Sequence, residues 1–323
     1  MRGFLARVLL GSLLSAPAAF AHADYPEQSV RLLVGFTPGV APDVAARLLA
    51  EGLTAAWGKP VVVENVTGAG GNIAADRVAK APPNGYTLGM VGNGSLIFSP
   101  SLYEKLSYDP VRDFAPISQI FVAANVLVVP SSVPAKSLPE LVALARAQPG
   151  ALTYAHAGAG TSQHLAAELF KSMAGVEIRP IAYRGTTALM PDLLAGRVSL
   201  AFANVVNALP LIREGKLRGF AVTSVNRSAV APDLPTMAES GYPGFEAVPW
   251  FGLMAPAGTP PAILDRLHRD TVKVLAAPEV RKRMYDLGLD VIGGTPAEFS
   301  AVIARELPQW AGVIKRAGIK ATE

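Results

Sequence analysis

The sequence contains no cysteine, and only 17% of its 323 residues are charged. The absence of cysteine excludes disulfide bonds, thiolate metal sites and a cysteine nucleophile. It permits export to an oxidising compartment without proving it. The small charged fraction, beside 50% hydrophobic residues, excludes a disordered chain or a coiled coil and predicts a sizeable buried core.

Positive charge is also scarce. The formal net charge is +4, and without Arg2 and Arg7, which lie in a candidate leader, 27 basic residues face 25 acidic ones, a net +2. No run of Lys and Arg exceeds two residues except Arg281–Arg283. We therefore expect no nucleic-acid partner.

Motifs for metals and nucleotides are missing as well. The four histidines have neither HExxH nor HxxxH spacing, which argues against a zinc hydrolase. There is no Gly-Lys-Ser/Thr phosphate loop, and neither Gly68–Gly70 nor Gly158–Gly160 is followed by the third glycine of the dinucleotide fingerprint. The sequence therefore predicts no cofactor and no metal.

The N-terminus has the three regions of a secretory signal. Arg2 and Arg7 precede an apolar stretch over 8–14, and small residues follow. We place the signal peptide at residues 1–23, with cleavage after Ala21 as the alternative. An uncleaved anchor is the other interpretation, but the apolar stretch is too short to span about 30 Å of hydrocarbon. We expect a periplasmic mature protein that is not inserted in a membrane.

Short apolar runs alternate with helical patterns along the rest of the chain. Residues 30–36, 61–65 and 86–91 are typical of strands, with helical spacing between them. The same order restarts after Ile117, and the chain ends in helices after Met254. This predicts an α/β protein of two lobes, each a mostly parallel sheet flanked by helices.

The two units imply lobes that are joined by chain crossings. We place the first lobe at residues 24–122 plus 250–323, and the second at 123–249. Interfaces between lobes of this kind often hold a ligand cleft.

Three small-residue loops, at 37–43, 67–72 and 157–162, follow strands and open helices. Glycine lets the backbone approach a ligand, and the unpaired N–H groups of a first helical turn favour an anion without a charged side chain. A single loop of this kind is more simply a tight strand-to-helix turn. Because the feature recurs in both units, we expect an anion site in the cleft.

Several other candidate residues each have two interpretations. His164, on the first turn of its helix, could reach an anion or cap its own loop. The alternative function is a secreted hydrolase that uses Ser162 and His164, although no Gly-x-Ser-x-Gly elbow occurs. Trp250 could wall the cleft or pack at the crossing. Asp43 could be a helix N-cap or attract an amino group, and Arg184 could pair a carboxylate or lie in solvent.

Ordered motifs extend over nearly the whole chain after the leader. They are Tyr25–Pro, Val30–Arg–Leu–Leu–Val–Gly–Phe–Thr–Pro–Gly39, Asn65–Val–Thr–Gly–Ala–Gly–Gly71, Pro83–Asn–Gly–Tyr–Thr–Leu88, Gly158–Ala–Gly–Thr–Ser–Gln–His–Leu165, Tyr183–Arg–Gly, Gly215–Lys–Leu–Arg, Pro235–Thr–Met–Ala–Glu and Trp250–Phe–Gly–Leu–Met–Ala–Pro. This series resembles the Bug family, the extracytoplasmic solute receptors of tripartite tricarboxylate transporters. The resemblance implies a type II-like periplasmic binding protein that closes over a small carboxylate, such as a di- or tricarboxylate, an amino acid or an aromatic acid. It also implies a monomer that serves a membrane permease or a sensor protein.

The resemblance further implies that backbone groups and ordered waters hold the carboxylate at loops such as 37–43 and 158–164. Three positions depart from the family pattern. Val40 stands where a second glycine is common, Ala203 where an acid is common, and His156 where a small hydroxyl residue is usual. The predicted ligand-binding residues are Thr37, Pro38, Gly39, Asp43, Gly68, Ala69, Gly70, Asn93, Ser95, Gly160, Thr161, Ser162, His164, Tyr183, Asn204 and Trp250; none is predicted to be catalytic.

Overall fold

The structure is a computed structural model that describes residues 25–183 and 186–320. The predicted leader and Arg184 therefore lie outside the described residues. The strands are β1 (Val30–Val34), β2 (Val61–Asn65), β3 (Thr87–Gly92), β4 (Phe114–Val122), β5 (Asn125–Pro130), β6 (Thr153–His156), β7 (Arg179–Ala182), β8 (Leu200–Asn204), β9 (Leu217–Val222), β10 (Trp250–Pro256) and β11 (Asp290–Val291). The helices are α1 (Ala41–Trp57), α2 (Asn72–Ala79), α3 (Ser99–Leu102), α4 (Leu138–Ala147), α5 (Ser162–Ala174), α6 (Thr186–Leu194), α7 (Val205–Arg213), α8 (Pro261–Leu275), α9 (Pro278–Asp286) and α10 (Pro296–Ala317).

The strands form two mixed sheets. In the first sheet, β1 is parallel to β2 and β3, whereas β10 runs antiparallel between β3 and β4, and β11 is antiparallel to β4. In the second sheet, β6 is parallel to β7 and β8, whereas β5 runs antiparallel between β8 and β9. The expectation of two mostly parallel sheets is corrected accordingly, while helices flank both sheets as expected.

The antiparallel strands are explained by the chain crossings. β10 begins at Trp250 opposite Val122, the last residue of β4. The chain thus re-enters the first sheet at the same end of the strands from which it left. For this reason β10 must run antiparallel to β4. In the same way, β5 begins at Asn125 opposite Asn204, the last residue of β8. The carboxyl ends of the parallel strands of both sheets therefore face the crossings, where ligands bind in open α/β sheets.

Below, lobe 1 is the first sheet with α1–α3 and α8–α10, and lobe 2 is the second sheet with α4–α7. The strands of lobe 1 come from residues 30–122 and 250–291, and those of lobe 2 from 125–222. The two crossings run side by side, because the Ala123 N–H donates to the Pro249 carbonyl at 2.9 Å.

The C-terminal helices pack on lobe 1 through close approaches at glycine. A Cβ added to Gly252 of β10 would lie 2.1 Å from the ring of Phe299 in α10, and the same ring meets Trp250 edge-on at 5.3 Å between centroids. A Cβ added to Gly52 of α1 would lie 2.4 Å from the side chain of Val274 in α8. Glycine at these two positions therefore makes room for the helices that complete the core of lobe 1.

Candidate functional site

The loops after β1, β2 and β3 lie together at the edge of lobe 1 that faces the crossings. A Cβ added to Gly35 would lie 2.6 Å from the Cα of Gly71, so the first two loops touch through their backbones. The loop after β3 joins them, since the Ser95 hydroxyl lies 3.5 Å from the Gly70 carbonyl oxygen. The first and second small-residue loops are therefore neighbours, as their positions after parallel strands require.

The second loop has a strained backbone. The φ angles of Gly68, Ala69, Gly70 and Gly71 are 127°, 46°, 64° and 99°. In the part of the chain that the structure describes, Ala69 is the only residue other than glycine with a positive φ. A left-handed helical conformation costs an L-residue about 1–2 kcal/mol, and such strain concentrates at ligand sites. An added Cβ at Gly70 would meet nothing within 4 Å, so a ligand can approach the backbone of this loop closely.

Asp43 holds the first loop in place. It is the third residue of α1, and the N-cap is Val40, so the interpretation of Asp43 as an N-cap is wrong. Its buried carboxylate accepts hydrogen bonds from the Gly39 N–H at 2.8 Å, from Arg47 Nε at 3.0 Å and from Asn65 Nδ2 at 2.8 Å. Burial alone would raise the pKa of Asp43, but these hydrogen bonds hold it below its ordinary value. Both carboxylate oxygens thus serve the loop rather than an amino group of a ligand.

The third loop caps α5 and lies against lobe 1. Thr161 is the N-cap: its hydroxyl accepts from the His164 N–H at 3.4 Å and donates to the Gly158 carbonyl at 2.8 Å. Gly160 has a φ of 72°, and a Cβ at this position would lie 2.6 Å from the side chain of Leu102 in α3. The third loop of lobe 2 therefore contacts lobe 1 at a position that only glycine fills without a shift.

Side chains of the protein lie within hydrogen-bond distance of three of the loop N–H groups, and one of these is the Gly158 N–H, at 3.3 Å from His156 Nδ1. The Gly39 N–H donates to Asp43, and the Gly160 N–H donates to His164 Nδ1 at 3.3 Å. The expectation that these loop N–H groups stay unpaired is therefore wrong for Gly39 and Gly160 in this conformation. In the second loop the Gly71 N–H donates to the Gly68 carbonyl at 3.0 Å, so this group also has a partner within its own loop.

His156 and His164 stack beside the third loop, with 4.0 Å between ring centroids and 18° between ring planes. His156 ends β6, and His164 lies in the first turn of α5. Burial, and then the charges of His156 and Lys171, lower the pKa of His164 to about 4. Burial also lowers the pKa of His156, although the Gly158 carbonyl and Glu168 oppose this. Both imidazoles are therefore neutral near pH 7.

Asn93 and Ser95 lie at the expected edge, but their side chains are buried. Asn93 Nδ2 donates to the Val248 carbonyl at 2.8 Å and so ties lobe 1 to the second crossing. The Ser95 carbonyl accepts from the Tyr108 hydroxyl at 2.8 Å. In this conformation both residues make hydrogen bonds within the protein, and these bonds stabilise the loops of lobe 1.

Tyr183 and Asn204 lie at the ends of lobe 2 strands. The Tyr183 hydroxyl donates to Asp192 at 2.8 Å. Asn204 Oδ1 accepts from the Val206 N–H at 3.1 Å and so caps α7. Both side chains already have a partner within lobe 2.

Trp250 does not line the cleft. Its side chain is fully buried, and its indole N–H donates to Glu306 of α10 at 2.8 Å. Burial raises the pKa of Glu306 to about 7. The expectation that Trp250 walls the cleft is therefore wrong, and the alternative interpretation, packing at the crossing, describes the structure.

The described residues offer no metal cluster and no paired Ser162 and His164. Within residues 25–183 and 186–320, no group of three His, Cys, Asp or Glu side chains is placed to hold a metal ion. Across the same ranges, no helix is both long and apolar enough to cross a bilayer. Ser162 opens α5, but His164 Nδ1 takes the Gly160 N–H instead of the Ser162 hydroxyl. His164 Nδ1 is therefore not placed as a base for the Ser162 hydroxyl in this conformation.

Sequence reasoning left three residues out of the predicted site. The ring of Phe36 lies 3.4 Å from where a Cβ on Gly71 would be, so it flanks the strained loop. Asn125, at the first crossing, is buried, and its Nδ2 has no hydrogen-bond partner within the described ranges. His156 was singled out only as a departure from the family pattern. His156 is the last residue of β6 and directly precedes a small-residue loop. This position in the sequence was a signal for adding His156 to the predicted site.

Two α/β lobes whose loops meet across paired chain crossings define the class of bilobed solute-binding proteins. A family model described as "Tripartite tricarboxylate transporter family receptor" (TctC) matches residues 45–319. Protein BugT of Bordetella pertussis is 38% identical over 305 residues, which cover 94% of this chain and 94% of BugT.

Solved structures agree with this match. An R. palustris protein with adipate is 37% identical and has a TM-score of 0.76, covering 92% of this chain and 99% of that one. MatC from Rhodopseudomonas palustris with bound malate is 32% identical with a TM-score of 0.72, covering 90% and 100%. The chain belongs to the family of tripartite tricarboxylate transporter receptors, and the resemblance to the Bug receptors is confirmed.

Proposed function

We propose that this chain is an exported, non-enzymatic receptor whose lobes, 24–122 plus 250–323 and 123–249, close over a small organic carboxylate. The observation that carries the proposal is the strained second loop of lobe 1, which lies at the edge that faces the crossings. The third loop of lobe 2 lies against the same lobe. The adipate and malate in two related structures are both dicarboxylates, which supports the ligand class.

Backbone groups can supply the affinity. The three loops contain no Lys or Arg, and a helix N-terminus carries about half a unit of positive charge. Micromolar binding needs about 8 kcal/mol. A few hydrogen bonds to a charged group, at about 1.5–3 kcal/mol each, together with burial of the carbon skeleton reach that scale.

The receptor role implies a membrane permease or a sensor protein as partner, and a mature chain released into the periplasm. If the leader is cleaved as proposed, the N-terminal sequence of the exported protein begins at Asp24, or at His22 for the alternative site. Sequencing the periplasmic protein distinguishes both from an uncleaved chain.

A panel of acids tests the proposed function. Adipate, malate, succinate, glutamate and benzoate are added to the purified mature protein near pH 7, and the melting temperature is measured. A true ligand raises the melting temperature, because it binds only the folded state. Nuclear magnetic resonance of the same mixture should show the acid unconsumed. Product formation that is lost in Ser162→Ala would contradict the proposal, as would the absence of any ligand in a wider panel of carboxylates.

A further inference from the structure

The stacked histidines differ in what their Nδ1 atoms face. His164 Nδ1 lies 3.3 Å from the Gly160 N–H, a donor, so this nitrogen must be unprotonated and the proton of the neutral ring lies on Nε2. His156 Nδ1 lies 3.0 Å from the Gly158 carbonyl oxygen, which can only accept, and 3.3 Å from the Gly158 N–H. His156 can therefore carry a proton on Nδ1 with a partner ready for it, whereas a second proton on His164 would face a donor.

The Nε2 atoms form the other edge of the pair. Among the described residues, neither Nε2 atom has a hydrogen-bond partner. Neither atom is completely buried, so both retain some contact with solvent. The two rings lie beside the third loop, which packs against Leu102 of lobe 1. Both Nε2 atoms thus keep a free hydrogen-bonding position although the two residues are largely buried.

The charged neighbours also distinguish the two rings. Burial lowers the pKa of both rings, but the charge of Glu168 of α5 opposes this shift at His156, whereas the charges of His156 and Lys171 add to it at His164. Glu168 is held by the Tyr154 hydroxyl at 2.5 Å and by Lys171 Nζ at 2.7 Å, and the Tyr154 ring lies 5.7 Å from that of His156. Electrostatics and hydrogen bonding thus select the same ring, His156, for an added proton.

The remaining elements at the pair add no charge in the described residues. The α3 helix faces the third loop with the apolar Leu102. The segment after β7 contributes the Tyr183 N–H, which donates to the His156 carbonyl at 2.9 Å, and the Tyr183 hydroxyl is turned to Asp192.

We propose that the Nε2 edge of the His156–His164 pair receives a carboxylate of the ligand, and that His156 takes up a proton as the ligand binds. His164 donates its Nε2–H to one carboxylate oxygen. The Gly158 carbonyl oxygen lies closer to His156 Nδ1, at 3.0 Å, than the Gly158 nitrogen does, at 3.3 Å, so we assign the proton of neutral His156 to Nδ1. Its Nε2 then offers only a lone pair, which repels a carboxylate, and the pair becomes a double donor once His156 is protonated. The proton comes from solvent or buffer, and no bond in the ligand changes. The inference rests on the proposed function.

Proton uptake makes affinity depend on pH. By linkage, a ligand that takes up one proton binds up to about tenfold more tightly per unit fall in pH between the free and bound pKa values of His156. Because the resemblance indicates a small hydroxyl residue at position 156 in most relatives, this dependence would distinguish the present chain from them.

The experiment uses the acid of the panel that gives the largest thermal shift, at pH values of about 6.5 and 8, where a dicarboxylate keeps both charges. Isothermal titration calorimetry in two buffers of different ionisation enthalpy counts the protons taken up. We expect the wild type to take up a fraction of one proton per ligand and to bind several-fold more tightly at the lower pH. His156→Ser should take up none and bind equally at both pH values.

His268→Asn, on α8, is the matched control, and it should behave like the wild type. Circular dichroism and melting curves check that each variant folds. If the wild type binds an acid without proton uptake, or if His156→Ser takes up as much as the wild type, the His156 inference is wrong and the proposed function stands. If no acid binds at either pH, the proposed function itself fails and the inference fails with it.

Discussion

Both lobes have small-residue loops between a strand and a helix, but the loops differ in backbone conformation and in the side chains beside them. In lobe 1 the binding edge is a shaped backbone: residues 68–71 all have positive φ, and a buried carboxylate at Asp43 fixes the neighbouring loop. In lobe 2 the loop has a positive φ only at Gly158 and Gly160, and it ends in a helix cap at Thr161 beside two stacked imidazoles. Lobe 1 thus offers a fixed geometry, whereas lobe 2 offers groups whose charge can change.

This difference indicates a division of roles. A strained backbone cannot adapt cheaply to a new ligand, so we propose that lobe 1 holds a carboxylate of the proposed ligand. Side chains can be exchanged without disturbing the fold, so lobe 2 is suited to discriminate among acids. Of the three departures from the family pattern, His156 and Ala203 lie in lobe 2, and Val40 lies in lobe 1.

Asp43→Ala tests the fixed loop geometry of lobe 1, and we expect it to have the largest effect of the four variants. It leaves the donors of Gly39, Arg47 and Asn65 without their acceptor. We expect a loss of about 2–3 kcal/mol in the free energy of unfolding near pH 7, together with weaker binding. Because the pKa of Asp43 is lowered in the folded state, its contribution is present above the unfolded pKa near 3.9 and is lost as pH falls through the folded pKa.

Urea denaturation at about pH 7 and pH 3 measures this difference, with the exposed Asp233→Ala as control. The gap between the wild type and Asp43→Ala should shrink at the lower pH. An equal gap at both pH values would show that the carboxylate charge is not what holds the first loop.

Much of the fold could be predicted from the sequence. The short apolar runs and the helix caps at Ser137 and Thr295 are local signals, and the structure contains the strands and helices that they indicate. The direction of β5 and β10 could not be predicted, because it depends on where the chain re-enters each sheet. β11 was also missed, since its two residues give no periodic signal.

Less of the site could be predicted. Small-residue loops mark where the backbone can approach a ligand, and loops 67–72 and 157–162 lie at the strand ends as expected. What each side chain does there depends on partners distant in sequence, such as Glu306 for Trp250, which are 56 residues apart. No local pattern encodes such a pair.

Glu306→Gln tests the packing of α10 on Trp250 at the second crossing, which should respond to pH independently of the histidine pair. Burial raises the pKa of Glu306 to about 7 in the folded state, above its unfolded value near 4.3. Its stabilising contribution is therefore complete below about pH 4 and is lost as pH rises to about 7. We expect the variant to be about 1–3 kcal/mol more stable than the wild type at pH 8, and to differ little near pH 4.5.

Chemical denaturation at both pH values measures this effect, and the exposed Glu104→Gln should show none of it. Proton uptake on ligand binding should be unchanged in Glu306→Gln, because this residue is not part of the cleft. A loss of that proton uptake would mean that Glu306, and not the histidine pair, takes up the proton that is linked to binding.

Gly160→Ala tests whether the two lobes must approach closely at the third loop. The new Cβ would lie 2.6 Å from Leu102, and Gly160 has a φ of 72°. Gly150 is a matched control in lobe 2, because it has the same φ of 72° and nothing within 4 Å of an added Cβ. Both variants should lose about 1 kcal/mol of stability from the left-handed conformation.

Only Gly160→Ala should also weaken ligand binding, by about tenfold, which corresponds to about 1.4 kcal/mol. Calorimetric titration of both variants with one panel acid measures this, and the double variant Gly160→Ala with Leu102→Ala should recover part of the affinity. Equal affinities for the two single variants would show that contact between the third loop and α3 is not needed for binding.

Ala69→Gly should have the smallest effect, and it measures how much strain lobe 1 stores. Glycine removes the cost of about 1–2 kcal/mol that a φ of 46° imposes on alanine, but it adds about 0.5–1 kcal/mol of chain entropy to the unfolded state. The two changes nearly cancel, so the free energy of unfolding should rise by less than about 1 kcal/mol. Affinity should fall slightly, since a glycine loop is less firmly held in the binding conformation. Melting curves and titrations with one panel acid measure both quantities. A large gain in stability with unchanged affinity would mean that the strain at Ala69 does not serve binding, and the assignment of fixed geometry to lobe 1 would then rest on Asp43 alone.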